Sequence, residues 1–271
     1  MPNFCRRKEV IKIKIHISGN DSRLKCCGEL IERNMGQVAR ELYLLPIPTS
    51  PDGQTINKTK ESFLNFSARV CVGAIVVGYE IPRPLRAALV ERSAIVVDVA
   101  RDEEYLSANA DLTADGTVGR MLTESRSALC DISVGVIGYG RIGQRLVRDL
   151  MFFGSRVTVF TSKKELRDDL ALLGVGSVDS MNIEGADADA ILGSFDFLIN
   201  TAPARLLGGE SVKTLASVRV IELASGDNFP DGLVYDRFSA IPAVMYPKSA
   251  GKVLYEAVAR MIGGLHLSET K

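Results

Sequence analysis

The chain has 271 residues, of which 46% are hydrophobic and 24% charged, with 33 basic and 33 acidic side chains. This length suits one large domain or two small ones, and the composition excludes a disordered chain. Zero net charge argues against nucleic-acid binding, and no apolar run is long enough to predict a membrane span. The first residues have no apolar core typical of a secretory signal, and the five cysteines include no C-x-x-C pair. We therefore expect a cytoplasmic protein with reduced thiols, no bound metal, and neither a nucleic-acid nor a membrane partner.

Apolar residues that alternate with polar ones, or that recur at helical spacing, divide the chain into two halves of similar pattern. The first half predicts strands at 11–17, 37–45, 72–77 and 94–99, helices at 23–33 and 82–92, and a loop at 46–60. A crossing segment at 109–116 follows, where Asp115 is expected to cap a helix over 116–129. The second half predicts strands at 132–137, 156–160, 195–200, 218–223 and 239–245, and helices at 141–153, 163–173 and 248–262.

This order of elements predicts an α/β protein with two Rossmann-like doubly wound domains and a cleft between them. We place an N-terminal, substrate-side domain at 1–112 and an NAD(P)-binding Rossmann domain at 113–247. The C-terminal helix, 248–271, is expected to pack back on the first domain.

A glycine-rich turn opens the second domain. The segment 138–143 fits G-x-G-x-x-G and stands between a predicted buried strand and an amphipathic helix. Gly138 permits the tight turn, Gly140 lets a pyrophosphate approach the backbone, and Gly143 lets the helix pack closely. Arg141 and Ile142 open the helix, whose N-terminus attracts phosphate. These five residues are therefore predicted to bind a dinucleotide.

The residues that follow the next predicted strand, 156–160, indicate which dinucleotide binds. NAD-preferring sites usually place an acid there for the ribose 2′-hydroxyl, whereas this chain has Thr161, Ser162 and Lys163. Hydroxyl and ammonium groups suit a 2′-phosphate, so NADP is favoured and NAD is the alternative. In the competing interpretation, Lys163 and Lys164 are simply the solvated first turn of a helix.

Two more strand ends are expected to line the same edge of the sheet. Asn200, Thr201, Ala202 and Pro203 follow one strand, and Ala224 follows the next. Because a dinucleotide lies across the carboxyl ends of the strands, these residues are predicted to flank the nicotinamide ribose. A plain glycine turn is the alternative for the second segment.

With these motifs in place, the chain resembles the NADP-dependent oxidoreductase component of the dipicolinate synthase family of sporulation enzymes. The segments that carry the resemblance keep the family's order over most of the chain: 18–23, 109–117, 138–143, 199–203, 222–225 and 241–251. Two departures stand out. Family members tend to carry arginine where this chain has Ser162, and 46–60 looks like an insertion or a diverged loop.

The resemblance implies oxidation of dihydrodipicolinate, or of its hydroxytetrahydro precursor, to dipicolinate, with NADP as hydride acceptor. It also implies a second, flavoprotein-like component as partner, and we expect an oligomer. A ring dicarboxylate needs cationic or amide donors. On that basis Arg23 is assigned one carboxylate and Lys248 the other, and Asp21 is the nearest carboxylate if a base is needed. The predicted substrate residues are Asn20, Arg23, Asn109, Thr113, Lys248 and Ser249, and the predicted catalytic residues are Asp21 and Lys248.

Each of these residues also has a structural alternative. Arg23 could be a solvated first-turn residue, Lys248 could simply begin a helix, and Asn109 could turn or cap the crossing segment. Two other functions stay open: a D-2-hydroxyacid dehydrogenase and a non-catalytic, regulatory NADP-binding protein. The first is disfavoured because the chain has only two histidines, His16 and His266, and neither is in the middle of the sequence.

Overall fold

The structure is a computed structural model that describes residues 13–35, 41–183 and 186–268. The chain divides into two units, which we call unit 1 (Met1–Asn109 with Ala243–Lys271) and unit 2 (Ala110–Pro242). The elements in chain order are β1 (Lys14–Ile17), α1 (Ser22–Asn34), β2 (Glu41–Leu44), β3 (Thr55–Ile56), β4 (Glu61–Ser62), α2 (Phe63–Ala68), β5 (Ile75–Gly78), α3 (Arg83–Glu91), β6 (Ile95–Asp98), α4 (Glu103–Glu124), β7 (Ser133–Ile137), α5 (Arg141–Phe152), β8 (Arg156–Phe160), α6 (Lys164–Leu172), β9 (Gly176–Val178), α7 (Ala186–Leu192), β10 (Phe197–Asn200), α8 (Ser211–Thr214), β11 (Arg219–Glu222), β12 (Asp236–Arg237), α9 (Ile241–Met245) and α10 (Pro247–Ser268).

Unit 1 is built on a parallel four-stranded sheet in the order β1-β2-β5-β6. Its strands are short apolar runs because helices cover both faces, as is usual for parallel sheets. One core cluster joins Leu44 and Val77 of the sheet to Leu24 of α1 and Val258 of α10. The C-terminal helix is therefore part of the hydrophobic core of unit 1.

The contact between α1 and α10 depends on a glycine. A Cβ added at Gly251 would lie 2.5 Å from Cys26 Cβ, 2.8 Å from the Arg23 carbonyl oxygen and 3.1 Å from the Cys27 amide nitrogen. Two of these three atoms belong to the backbone of α1 and cannot move alone. The absence of a side chain at residue 251 thus sets how closely the two helices approach.

We expect Gly251→Ala to lower the free energy of unfolding by about 1–3 kcal/mol, because the added methyl group must push the helices apart. Gly263→Ala is the matched control, since it lies in the same helix with open space around its Cβ position. That change should be neutral or stabilising by up to about 1 kcal/mol through helix propensity. Urea unfolding of the three proteins measures both effects, and equal midpoints would contradict the prediction.

Unit 2 is built on a parallel six-stranded sheet in the order β12-β11-β10-β7-β8-β9. From β7 the chain proceeds outward through β8 to β9, then returns to the other side of β7 and continues outward through β10, β11 and β12. The order reverses between β7 and β10, which makes this the topological switch point where doubly wound sheets bind ligands.

The crossing segment is helical throughout, which corrects two predictions. Helix α4 runs without a break from Glu103 to Glu124, so Asp115 does not cap a helix and Asn109 does not form a turn. The carboxylate of Asp115 instead accepts a hydrogen bond from Arg145 Nη2 at 3.1 Å. The segment contains residues that disfavour helices, but buried Tyr105 and Met121 anchor its two ends in hydrophobic cores. This packing outweighs the local propensity.

The strand predicted at 239–245 is also wrong. That segment contains the short helix α9, and the edge strand β12 lies a few residues earlier. Five further features have no counterpart among the predicted elements: the β3–β4 hairpin and α2, both within or just after the predicted loop, and β9, α7 and α8. The predicted strand portions 11–12 and 37–40 lie outside the described residues. Across the part of the chain that the structure describes, no helix is long and apolar enough to cross a membrane.

Candidate functional site

The glycine turn after β7 has the backbone geometry that its sequence predicts. Gly138 has φ of +90°, in the left-handed region that favours glycine. A Cβ added there would lie 2.9 Å from Thr201 Oγ1, and one added at Gly143 would lie 2.5 Å from the Gly138 carbonyl oxygen. At Gly140, in contrast, no atom lies within 4 Å of an added Cβ. Two glycines therefore allow close packing, and the third leaves open space beside the backbone.

That open space lies at the N-terminus of α5. The N-cap residue is Gly140, and no side chain caps the helix. The first-turn N–H groups of Arg141 and Ile142, with the partial positive charge of the helix, can therefore face an anion. An uncapped helix of 12 residues next to an open glycine backbone is a suitable seat for a pyrophosphate.

The segment after β8 carries a buried hydroxyl, that of Thr161, and two cations, Lys163 and Arg167. Thr161 is buried, and its Oγ1 accepts a hydrogen bond from the Lys163 amide at 3.4 Å. Ser162 and Lys163 are exposed. Arg167, one turn into α6, reaches back to donate from Nη1 to the Thr161 carbonyl at 2.8 Å, and its Nη2 lies 3.1 Å from Asp179 Oδ2.

Arg167 was not predicted from the sequence. It lies four residues after Lys163, and this helical spacing is the one signal that could have suggested it. Lys164 is less suited to ligand binding than expected, because its ammonium pairs along the helix with Asp168 at 3.5 Å.

The turn after β10 is held to the glycine turn by Thr201, whose hydroxyl donates to the Ile137 carbonyl at 2.9 Å. Asn200 is buried, and its amide is satisfied internally: Oδ1 accepts from Ala202 N at 3.1 Å, and Nδ2 donates to the Ala202 carbonyl and to Glu222. Asn200 therefore shapes the turn, and the groups left to face a ligand belong to Thr201, Ala202 and the exposed Pro203.

Glu222, at the end of β11, is fully buried beside Asn200. It accepts a hydrogen bond from the amide of Ala224 at 2.8 Å, which fixes the start of the second predicted turn. Glu222 lies within the strand predicted at 218–223 and was given no role, because one of its partners, Asn200, comes from the neighbouring strand.

In unit 1, the turn after β1 holds a buried ion pair. Asp21 caps α1: its Oδ1 accepts from the Arg23 amide at 2.9 Å, and its Oδ2 accepts from Arg23 Nη2 at 2.8 Å. The two side chains are only 5% and 4% exposed. Arg23 is therefore not a solvated residue, and both oxygens of Asp21 are in use.

Two buried donors lie at this pair without an acceptor among the described residues. They are Arg23 Nε and the hydroxyl of Tyr105, whose side chain is 1% exposed. Burial raises the pKa of Tyr105 to about 12, and charge interactions with Arg23 and Asp21 act on it as well. The cluster of Asp21, Arg23 and Tyr105 thus has hydrogen-bonding capacity that the protein itself does not satisfy.

Three other predicted substrate residues of unit 1, unlike Arg23, are exposed: Asn20, Lys248 and Ser249. Lys248 and Ser249 are exposed in the first turn of α10, two to three residues before the glycine that contacts Arg23. Asn20 is exposed, and its Oδ1 accepts from Lys25 Nζ at 2.9 Å. Asn20, Arg23, Lys248 and Ser249 therefore share one end of the α1–α10 pair within unit 1.

Asn109 and Thr113 lie one turn apart on α4, so they share a face of that helix. Asn109 is half-buried and Thr113 buried. Among the described residues, no three metal-ligating side chains cluster closely enough to hold a metal ion.

No protein-family model and no curated protein sequence matches the chain. Solved structures do match its fold. A dipicolinate synthase chain from Bacillus halodurans superposes with a TM-score of 0.72 at 18% identity, covering 93% of this chain and 98% of that one. The corresponding chain of dipicolinate synthase from Bacillus subtilis gives 0.74 at 15% identity, covering 95% and 98%.

A transhydrogenase from Sinorhizobium meliloti gives a TM-score of 0.64 at 14% identity, covering 93% of this chain and 94% of that one. An L-alanine dehydrogenase and several D-lactate dehydrogenases share the fold at TM-scores just above 0.5. These identities are too low to assign a family. The chain has the α/β fold, with parallel-stranded sheets, that these Rossmann-like dehydrogenases share.

Proposed function

We propose that the chain is an NADP-dependent oxidoreductase that acts on a small dicarboxylate. The observation that carries the proposal is the glycine turn at the switch point of unit 2, with open space at Gly140 and an uncapped helix behind it. The dehydrogenase fold of the structural neighbours supports it.

The residues of unit 2 fit a nicotinamide dinucleotide. The first turn of α5 would hold the pyrophosphate, and the end of β8 would hold the adenosine ribose. Thr201 and Ala202 would lie beside the nicotinamide ribose, and Ala224 would follow on the next strand. The cofactor would supply a hydride acceptor, while these residues bind and orient it and exclude water.

The charges at the end of β8 favour NADP over NAD. No carboxylate stands in the turn directly after Phe160, where NAD-preferring sites place one, and Asp179, which follows the neighbouring strand, is paired with Arg167. Ser162 and Lys163 are exposed beside this pair. A 2′-phosphate here would meet the ammonium of Lys163 and the hydroxyl of Ser162, and it would compete with Asp179 for the guanidinium of Arg167.

We expect Lys163→Ala combined with Arg167→Ala to weaken NADPH binding about tenfold to hundredfold, because up to two charge-assisted contacts are lost. NADH binding should change by less than about threefold, since NADH lacks the 2′-phosphate. Lys164→Ala is the matched control, because that ammonium already pairs with Asp168. Titration calorimetry with both nucleotides measures the effect, and equal affinity of the intact protein for them would contradict the choice of NADP.

The polar end of unit 1 supports a dicarboxylate substrate. Arg23 Nε and the Tyr105 hydroxyl are buried donors without acceptors among the described residues, and Lys248 and Ser249 offer exposed donors at the start of α10. A substrate with two carboxylates could satisfy both sets. Dihydrodipicolinate fits this chemistry, because it carries two carboxylates and its aromatisation releases one hydride and one proton.

Loss of the proton does not need a strong base from the protein, because formation of the aromatic ring favours it. Asp21 is the nearest carboxylate, and its ion pair with Arg23 would have to open before it could accept a proton. We therefore assign Asp21 a positioning role toward Arg23. A second component of flavoprotein type and an oligomeric assembly remain predictions from the resemblance.

The D-2-hydroxyacid dehydrogenase alternative relies on a histidine acid–base in the second half of the chain, and His16 is in the first. His16 stacks on Tyr43 with ring centroids 4.4 Å apart and lies 3.2 Å from Glu41, within the sheet of unit 1. The sequence has no histidine in unit 2. The two functions are separated by incubating the protein with NADP⁺ and either dihydrodipicolinate or D-lactate, and measuring the absorbance of the reduced cofactor. Turnover of D-lactate alone would overturn the proposal.

A further inference from the structure

Glu222 is a charged residue that the proposed cofactor contacts do not use. Its side chain is 0% exposed at the carboxyl end of β11. Burying a carboxylate is costly unless its oxygens are well hydrogen-bonded, so a fully buried glutamate at the ligand-binding edge of a sheet requires an explanation.

The hydrogen bonds of Glu222 come from neutral groups. Oε1 accepts from Asn200 Nδ2 at 3.0 Å and from Ala224 N at 2.8 Å, and Oε2 accepts from Asn228 Nδ2 at 3.1 Å and from Asn200 Nδ2 at 3.2 Å. Every one of these contacts is an N–H donor. Both oxygens of the side chain therefore accept hydrogen bonds, which is the pattern that a carboxylate group supports.

The negative charge is not neutralised by a direct ion pair within the described residues. One cation that interacts with it electrostatically is Arg237, on the neighbouring strand β12. That guanidinium is exposed and donates to the Ala224 carbonyl at 3.3 Å and to the Tyr235 hydroxyl at 3.2 Å. The field of Glu222 is therefore only partly offset, in a buried environment where water screens it little.

The strand order places Glu222 on the β10–β11 side of the switch point. The glycine turn follows β7, and the adenosine ribose belongs to the end of β8 on one side. The nicotinamide half belongs on the other side, over the ends of β10 and β11, where Asn200 and Glu222 are paired neighbours. Adjacent strands lie about 4.8 Å apart, so Glu222 is two strand spacings from the glycine turn.

We propose that Glu222 provides a fixed negative charge that makes the site prefer the oxidised cofactor to the reduced one. The inference rests on the proposed function. The oxidised nicotinamide ring carries a positive charge and the reduced ring carries none, so a nearby carboxylate attracts only the oxidised form. Such a preference favours exchange of reduced for oxidised cofactor after turnover, and it makes hydride transfer to the bound cofactor less favourable by the same factor.

The test compares binding of NADP⁺, NADPH and 2′,5′-ADP to the intact protein, Glu222→Gln and Arg237→Gln by titration calorimetry. Glu222→Gln should weaken NADP⁺ binding about tenfold and leave NADPH and 2′,5′-ADP within about threefold. Arg237→Gln should shift the NADP⁺ to NADPH preference in the opposite direction, since it removes the offsetting cation.

The outcomes are distinguishable. If 2′,5′-ADP and both cofactors fail to bind the intact protein, the proposed function is wrong. If they bind and the NADP⁺ to NADPH affinity ratio is unchanged in both variants, the role of Glu222 is wrong. A merely structural glutamate would weaken all three ligands together. If Glu222→Gln does not fold, as judged by its thermal unfolding, the exposed Arg237 variant decides the question alone.

Discussion

Gly140→Val is expected to weaken dinucleotide binding roughly tenfold to hundredfold while leaving the fold intact. An added Cβ at residue 140 meets no protein atom within 4 Å, so the side chain begins in open space. Under the proposed function, the side chain would fill the space through which a pyrophosphate would approach the N-terminus of α5. The lost affinity follows from the cost of about 1–3 kcal/mol that overpacking a close contact carries.

The control for this prediction is Gly209→Val, because Gly209 lies in the same unit and also has open space at its Cβ position. Both variants should unfold at the temperature of the parent protein. Only Gly140→Val should lose NADPH binding in a fluorescence titration. Unchanged affinity in that variant would show that the cofactor does not approach this turn, and the proposed function would lose its main support.

Arg23→Ala is expected to lower the free energy of unfolding by about 3–5 kcal/mol, the largest change that we predict for stability. The substitution leaves the carboxylate of Asp21 buried without its cationic partner. Loss of activity in this variant would not by itself identify a substrate contact, since the protein could simply unfold. Denaturant unfolding followed by circular dichroism measures the stability.

A double variant separates the two roles of Arg23. Asp21→Ser with Arg23→Met keeps a helix cap and removes both charges, so it should recover most of the lost stability. If Arg23 also binds a substrate carboxylate, the double variant should fold and still bind the dicarboxylate at least about tenfold more weakly. Normal turnover of dihydrodipicolinate by the double variant would exclude Arg23 from the substrate site.

Lys248→Ala is the matched comparison for the substrate experiment. Lys248 is exposed, so its removal should change stability by less than about 0.5 kcal/mol. A weaker affinity for the dicarboxylate, with NADPH binding unchanged, would support its assignment. The pair of variants therefore tests the two carboxylate contacts independently of each other.

The sequence alone determined the features that depend on local pattern. Apolar runs, and alternation at 11–17, predicted most of the strands, because a buried parallel strand needs a largely apolar segment. The G-x-G-x-x-G spacing predicted the turn after β7, because a positive φ at Gly138 and the close approach at Gly143 both require glycine. The class of fold and the position of the glycine turn follow from these local constraints.

Only the tertiary structure decided the features that depend on contacts between distant segments. Helix α4 is continuous because Tyr105 and Met121 are buried in hydrophobic cores, a long-range effect that outweighs the weak helix propensity around Asn109. The burial of Arg23 against Asp21, and that of Glu222 between Asn200 of β10 and the turn that follows β11, likewise appear only once the chain has folded. A charged side chain is expected at the surface from its sequence, and its burial becomes favourable only when partners elsewhere satisfy its hydrogen bonds.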